Sequence, residues 1–216
     1  ALIALMENED ADLYTMRGVA YRQMGNTEAA ISDFDKALQI APTDPSALAE
    51  RGWTKDMLKQ DAEAIKDYTS AITYAEPNAW LYIQRGRMYQ STGDSLKAKA
   101  DFETALQLDT ISSTHAFALM HLGKTQAAVN FMKAIVAENT NDGGEYYNLA
   151  CLYSLANMKP EAIVALQRAI ELGYKAYSQI QLDRDLDNIR TEQGYKDLLN
   201  NITKSKVSKM LEGFTK

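Results

Sequence analysis

Gly18, Gly52 and Gly86 stand 34 residues apart, and the same step aligns Ala30 with Ala64 and Ala98, Phe34 with Tyr68 and Phe102, Ala37 with Ala71 and Ala105, and Tyr14 with Leu48 and Tyr82. Small residues recur where two helices must touch, and large ones recur beside them. A period of this length, with small and aromatic residues at fixed offsets, marks a stacked helix-turn-helix solenoid. Each unit of such a fold buries its apolar face only against its neighbours. The expected fold class is therefore all-α.

The repeats can be walked along the chain. The first spans 11–44, where Gly18 and Ala30 let two helices approach, Phe34 fills the space beside them, Gly25-Asn26 makes the turn and Pro42 stops the second helix. The second, 45–78, begins at Pro45, ends with Pro77, and turns at Lys59-Gln60-Asp61 without a glycine; the third, 79–112, turns at Gly93-Asp94. The fourth, 113–142, is irregular. With Ala127, Phe131 and Ala134 as its small-aromatic-small set, five residues are missing from its first helix, and a short helix over Ser112–Leu122 and a local bend are expected. The fifth, 143–176, follows the turn Asn141-Asp142-Gly143-Gly144 and carries Ala150, Tyr153, Ala162 and Ala169. Residues 1–10 read as the remnant of a preceding repeat or an N-terminal extension, and 177–216 as a C-terminal cap that covers the last apolar face.

This pattern resembles the tetratricopeptide repeat (TPR) family. The strings Ala169-Ile170-Glu171-Leu172-Gly173, Asp183-Arg184-Asp185-Leu186-Asp187-Asn188-Ile189-Arg190 and Tyr195-Lys196-Asp197-Leu198-Leu199 resemble the end-of-group segment that closes many bacterial TPR arrays. The resemblance implies a right-handed α-solenoid of five helix pairs with capping helices, whose job is to hold a protein or peptide partner. It implies that the first helix of each repeat lines a concave groove. The inward residues are then Thr15, Val19 and Arg22; Ala49, Trp53 and Asp56; and Trp80, Ile83, Arg87 and Gln90. Trp and Arg dominate binding hot spots, so Trp53 and Trp80 are expected as an apolar wall for a peptide, the alternative being plain packing on a neighbouring helix. One TPR subclass grips the C-terminal carboxylate of heat-shock chaperones with Lys, Asn and Arg. The matching places here hold Thr15, Val19, Glu50, Trp80 and Gln84, so that subclass is not expected.

Composition narrows the remaining classes. A net charge of −6 and the absence of a clustered basic surface disfavour nucleic acid; Lys204, Lys206 and Lys209 are the only local basic group. Cys151 is the single cysteine, which leaves the compartment open between cytoplasm and bacterial periplasm. No apolar run reaches the ~18 residues of a membrane span, so membrane insertion is not expected. Asp183, Asp185 and Asp187 alternate like a calcium loop, but Asn188 and Gly194 stand where that loop needs Gly and Glu. His115 and His121 lie six apart, on different helix faces, and Cys151 has no histidine at a motif-like spacing. The triplet Asn201-Ile202-Thr203 is a glycosylation sequon by letter only. No cofactor or metal is expected, and no catalysis within these residues. Two rivals to peptide binding stand: a self-associating structural module, possible as a homo-oligomer, and an accessory array of an enzyme whose catalytic part lies elsewhere.

Overall fold

The computed structural model describes residues 10–202. The expected N-terminal remnant and the lysines at 204, 206 and 209 fall outside the described residues, apart from Asp10. The described chain is a run of helices: α1 (Ala11–Gln23), α2 (Thr27–Ile40), α3 (Pro45–Met57), α4 (Asp61–Tyr74), α5 (Ala79–Ser91), α6 (Ser95–Leu108), α7 (Ser113–His121), α8 (Thr125–Glu138), α9 (Gly143–Leu155), α10 (Lys159–Glu171) and α11 (Tyr177–Leu182). A 3₁₀ helix follows at Arg184–Ile189, and the chain is again helical over 193–202. The first helices start alike, because Asp10, Asp44, Asn78, Ser112 and Asp142 each accept a hydrogen bond from a backbone N–H of the following turn. Gly25 and Gly93 take positive φ at the turns inside the first and third pairs, and Lys59 adopts the same left-handed conformation where the second pair has no glycine.

Two compact units form. Among the described residues, one comprises residues 10–128 together with Ala176–Asp183; the other comprises Val129–Lys175 with residues 184–202. The division cuts across the repeats read from the sequence, since α8 is shared between units and the segment around α11 packs with the first.

In the first unit each helix pair closes on a glycine and a ring. A Cβ placed on Gly18 would come within 2.6 Å of Phe34 Cε1, and one on Gly86 within 2.6 Å of Phe102 Cε1; at Gly52 the approach to Tyr68 Cε1 is looser, 3.2 Å. Phe34, Tyr68 and Phe102 are fully buried with Ala30, Ala64, Ala98 and their partners one turn on. Across the same pairs runs a charged ladder. Arg17 forks onto Asp33, Arg51 onto Asp67 and Arg85 onto Asp101, each through Nε and Nη2 at 2.6–2.9 Å. Arg51 also reaches Asp35, and Arg85 reaches Thr69, so the ladder ties each pair to the one before it. The hydrogen bonds to Asp33 and Asp101 raise the pKa of Arg17 and Arg85, while for Arg51 burial opposes the same effect without reversing it.

The fourth pair corrects the register read from the sequence. Ala128 and Met132 are fully buried, whereas Ala127 and Ala134 are exposed and Phe131 is only half-buried. The small and large core positions are therefore one residue later than expected. Helix α7, with 9 residues, is four shorter than α5, with 13. Four residues are close to one helical turn, so the loss shortens the helix while nearly keeping its buried face in line.

The second unit packs α9 against α10 and closes on the 3₁₀ helix. Leu152, Leu166, Leu186 and Ile189 are fully buried there, Tyr147 stacks on Tyr174 with ring centroids 4.4 Å apart, and Asn188 Nδ2 donates to the Ser154 carbonyl at 2.8 Å. Lys159 bridges to Glu192 at 2.8 Å.

Candidate functional site: the face of the first helices

Helices α1, α3 and α5 neighbour one another in the first unit, and the ten expected groove residues lie on them, five of them in two side-chain groups. The first group is built on Arg22. Its Nη2 donates to Glu50 at 2.7 Å, and its guanidinium lies 3.8 Å over the ring of Trp53. Trp53 meets Trp80 edge-on at 5.9 Å, and Trp80 in turn meets the buried Tyr68 at 6.1 Å. The second group is built on Arg87, which donates to Gln84 at 2.6 Å and pairs with Asp56 at 3.5 Å. Thr15 is buried with its hydroxyl turned back onto the Ala11 carbonyl, and Ile83 is buried in the core of the third pair. Val19 and Ala49 are half-buried, while Gln90 is exposed and borders a separate recess beside His121.

Both tryptophans also pack on the core cluster of Leu48, Tyr68, Leu81 and Met88. Each therefore has a structural side and an exposed side. The charges on this face balance internally, since Arg22 faces Glu50 and Arg87 faces Asp56. Burial pushes the Tyr68 hydroxyl pKa well up, with the nearby Asp56 charge adding to it, so this phenol stays protonated. Helix α11 lies against α1, with Ser178 Oγ 3.2 Å from where a Cβ on Gly25 would stand.

The sequence reading missed the roles of Glu50 and Gln84 as partners of Arg22 and Arg87, and it missed the Arg–Asp ladder. A signal for the ladder was present: Arg17, Arg51 and Arg85, and Asp33, Asp67 and Asp101, all recur at the 34-residue step.

The recess beside Gln90 has a volume of about 240 Å³ and is lined by Phe102, Lys99 and His121 among others. His121 stacks on Phe102 at 4.7 Å, and its buried Nε2 has no hydrogen-bond partner among the described residues. Burial first, then the Arg87 charge, lowers its pKa to about 3. The unfolded chain takes up this proton near pH 6.5 and the folded chain does not until about pH 3, so stability should fall as pH drops through that window. The slope contributed by one such group approaches ~1.4 kcal/mol per pH unit. Urea melts of wild type and His121→Phe between these limits check it, because the variant should lose that part of the slope.

Tetratricopeptide repeat models match residues 11–44 and 81–111. Tetratricopeptide repeat protein 16 of Mus musculus is 26% identical over 139 residues, covering 61% of this chain and 18% of its own length. Protein O-mannosyl-transferase TMTC1 of Homo sapiens is 29% identical over 101 residues, covering 45% of this chain and 12% of its own length. Among solved structures, a thermophilic TPR protein of Thermus thermophilus superposes with a TM-score of 0.60 at 19% identity, covering 82% of this chain and 98% of that one. The chain thus has the all-α solenoid fold of helix pairs and carries two segments that match tetratricopeptide repeats. It spans less than a fifth of either curated relative. Both relatives are animal proteins, so they lend nothing to a bacterial origin.

Proposed function

We propose that the chain is a non-catalytic scaffold that holds a segment of a protein partner along the face of α1, α3 and α5. The observation that carries this reading is the Arg22–Trp53–Trp80 stack, in which the buried Arg22 braces two half-exposed tryptophan rings on adjacent first helices. Because Arg22 and Arg87 already have carboxylate partners, the ligand that fits supplies an apolar anchor and backbone polar groups rather than an acid. The groove residues in this reading are Thr15, Val19, Arg22, Ala49, Trp53, Asp56, Trp80, Ile83, Arg87 and Gln90.

Peptides selected from a random library against the intact chain test it. Trp53→Ala should weaken their binding by ~2 kcal/mol or more with helix content preserved by circular dichroism. Unchanged affinity in a folded variant would move the search to the outer helix faces. The match to a short part of a protein named as a transferase supports a second reading, in which the array serves a longer, enzyme-bearing chain. The gene sequence flanking these residues decides between the two.

A further inference from the structure

Arginine occupies the same position in three of the repeats, and in two of them it lies between a pair of tyrosines. In the third pair, Arg85 sits between Tyr82 and Tyr89, its guanidinium carbon 5.5 and 5.7 Å from the two ring centroids, and forks onto Asp101. Lys97 adds a second cation, 5.2 Å from the Tyr89 centroid. In the first pair, Arg17 lies 5.5 and 5.9 Å from Tyr14 and Tyr21 and forks onto Asp33. A tyrosine pair separated by two helical turns, with arginine between, is thus a recurrent cradle in which ring faces and a carboxylate hold a guanidinium.

The fifth pair keeps the cradle and lacks its occupant. Matching the buried Gly86 and Phe102 to the buried Ala150 and Leu166 puts Tyr146 and Tyr153 in the places of Tyr82 and Tyr89. In the same register, Leu149 replaces Arg85, Ala165 replaces Asp101, and Glu161 replaces Lys97. Both internal cations are gone, and an acid stands where one of them was. What results, entirely within α9 and α10, is a recess of about 650 Å³ with Leu149 and Ala165 among its lining and Val164, 67% exposed, on its wall. Arg168 remains at the Tyr146 end, 5.9 Å from that ring, but it is engaged with Glu171 at 3.4 Å. Glu161, at the Tyr153 end, is an exposed carboxylate on the recess lining, and its charge helps raise the Tyr153 pKa, after burial. The two carboxylates and one guanidinium leave the recess net negative.

We propose that this recess is a binding site for an arginine side chain of a protein partner, with the guanidinium between Tyr146 and Tyr153 and bonded to Glu161, and the aliphatic stem on Leu149 and Val164. Arginine is favoured over lysine because a planar, weakly hydrated cation stacks on rings while presenting a fork of donors to the carboxylate. The site is separate from the face of α1, α3 and α5, and neither reading depends on the other.

The test titrates the intact, isotope-labelled chain with acetyl-Gly-Arg-Gly-amide and with the neutral acetyl-Gly-Gln-Gly-amide, and follows the Tyr146 and Tyr153 ring resonances. The arginine peptide should shift both rings saturably, with an affinity at least about tenfold above that of the glutamine peptide. Glu161→Lys, a surface change that restores the lysine of the third repeat, should weaken arginine binding about tenfold or more. The double variant Leu149→Arg with Ala165→Asp should abolish it by supplying the internal occupant. Equal response to the two peptides, absence of ring shifts, or unaltered binding in Glu161→Lys would each overturn the proposal. Should the double variant fail to fold, Glu161→Lys alone still decides.

Discussion

Replacing Asp67 with alanine should cost roughly 3 kcal/mol of stability in the first unit, the largest loss expected from removing any one carboxylate of the Arg–Asp ladder. Asp67 accepts the fork of Arg51 and a further hydrogen bond from Lys55 Nζ at 2.7 Å, and its side chain is only 6% exposed. Its removal leaves Lys55 and one arm of Arg51 poorly hydrated and unpaired, with Asp35 alone remaining to Arg51. Asp33 is just as buried, but its partner Arg17 is somewhat more exposed than Arg51, so Asp33→Ala should cost less. The cost arises because breaking a buried pair strands a charge, although the intact pair adds little net stability over an apolar substitute. A triple variant, Asp67→Leu with Arg51→Met and Lys55→Met, should therefore recover much of the loss. Guanidinium melts of the three proteins measure this. An Asp67→Ala variant as stable as wild type would show that the ladder is solvated enough to be dispensable.

The architecture was legible because packing repeats in sequence whenever it repeats in space. Each of the first three helix pairs sets a glycine against a ring, and the 34-residue step states that need three times. The fourth pair was misread for a specific reason. Ala127-Ala128 and Phe131-Met132 each offer two adjacent candidates for one core position, and the letters do not choose between them. The helix does choose: a four-residue loss rotates the following chain by only about 40°, whereas a five-residue loss would rotate it by about 140°. The groove was legible only in part. Trp53 and Trp80 fall on the expected face, but the bonds that neutralise Arg22 and Arg87 join residues in different helices or on the next turn, and a one-dimensional pattern carries no sign of Glu50 lying beside Arg22. The contact of α11 with α1 had no sequence signal at all, since it joins segments more than 150 residues apart. The tyrosine cradle of α9 becomes visible only once the structure supplies the register that aligns Tyr146 with Tyr82.

The glycines of the three regular pairs should not respond alike to substitution. In a helix interior, Gly→Ala by itself gains about 1 kcal/mol from backbone entropy and propensity. At Gly52 the new Cβ would sit 3.2 Å from Tyr68 Cε1 and 3.3 Å from Asp67 Cβ, a tight contact that a few tenths of an ångström of movement would relieve. Gain and strain should nearly cancel there, leaving Gly52→Ala close to neutral. At Gly86 the same atom would sit 2.6 Å from Phe102 Cε1, and the ring is buried and stacked on His121, so it has little room to withdraw. Overpacking a core contact costs ~1–3 kcal/mol, which exceeds the propensity gain. Gly86→Ala should therefore destabilise, and Gly86→Leu should do so by about 3 kcal/mol or more, because the longer side chain must push α5 and α6 apart. Thermal melts of Gly52→Ala, Gly86→Ala and Gly86→Leu should fall in that order of decreasing stability. Equal melting temperatures for the first two would mean that Phe102 yields as easily as Tyr68, and that the close glycine–ring approach is not what sets the spacing of α5 and α6.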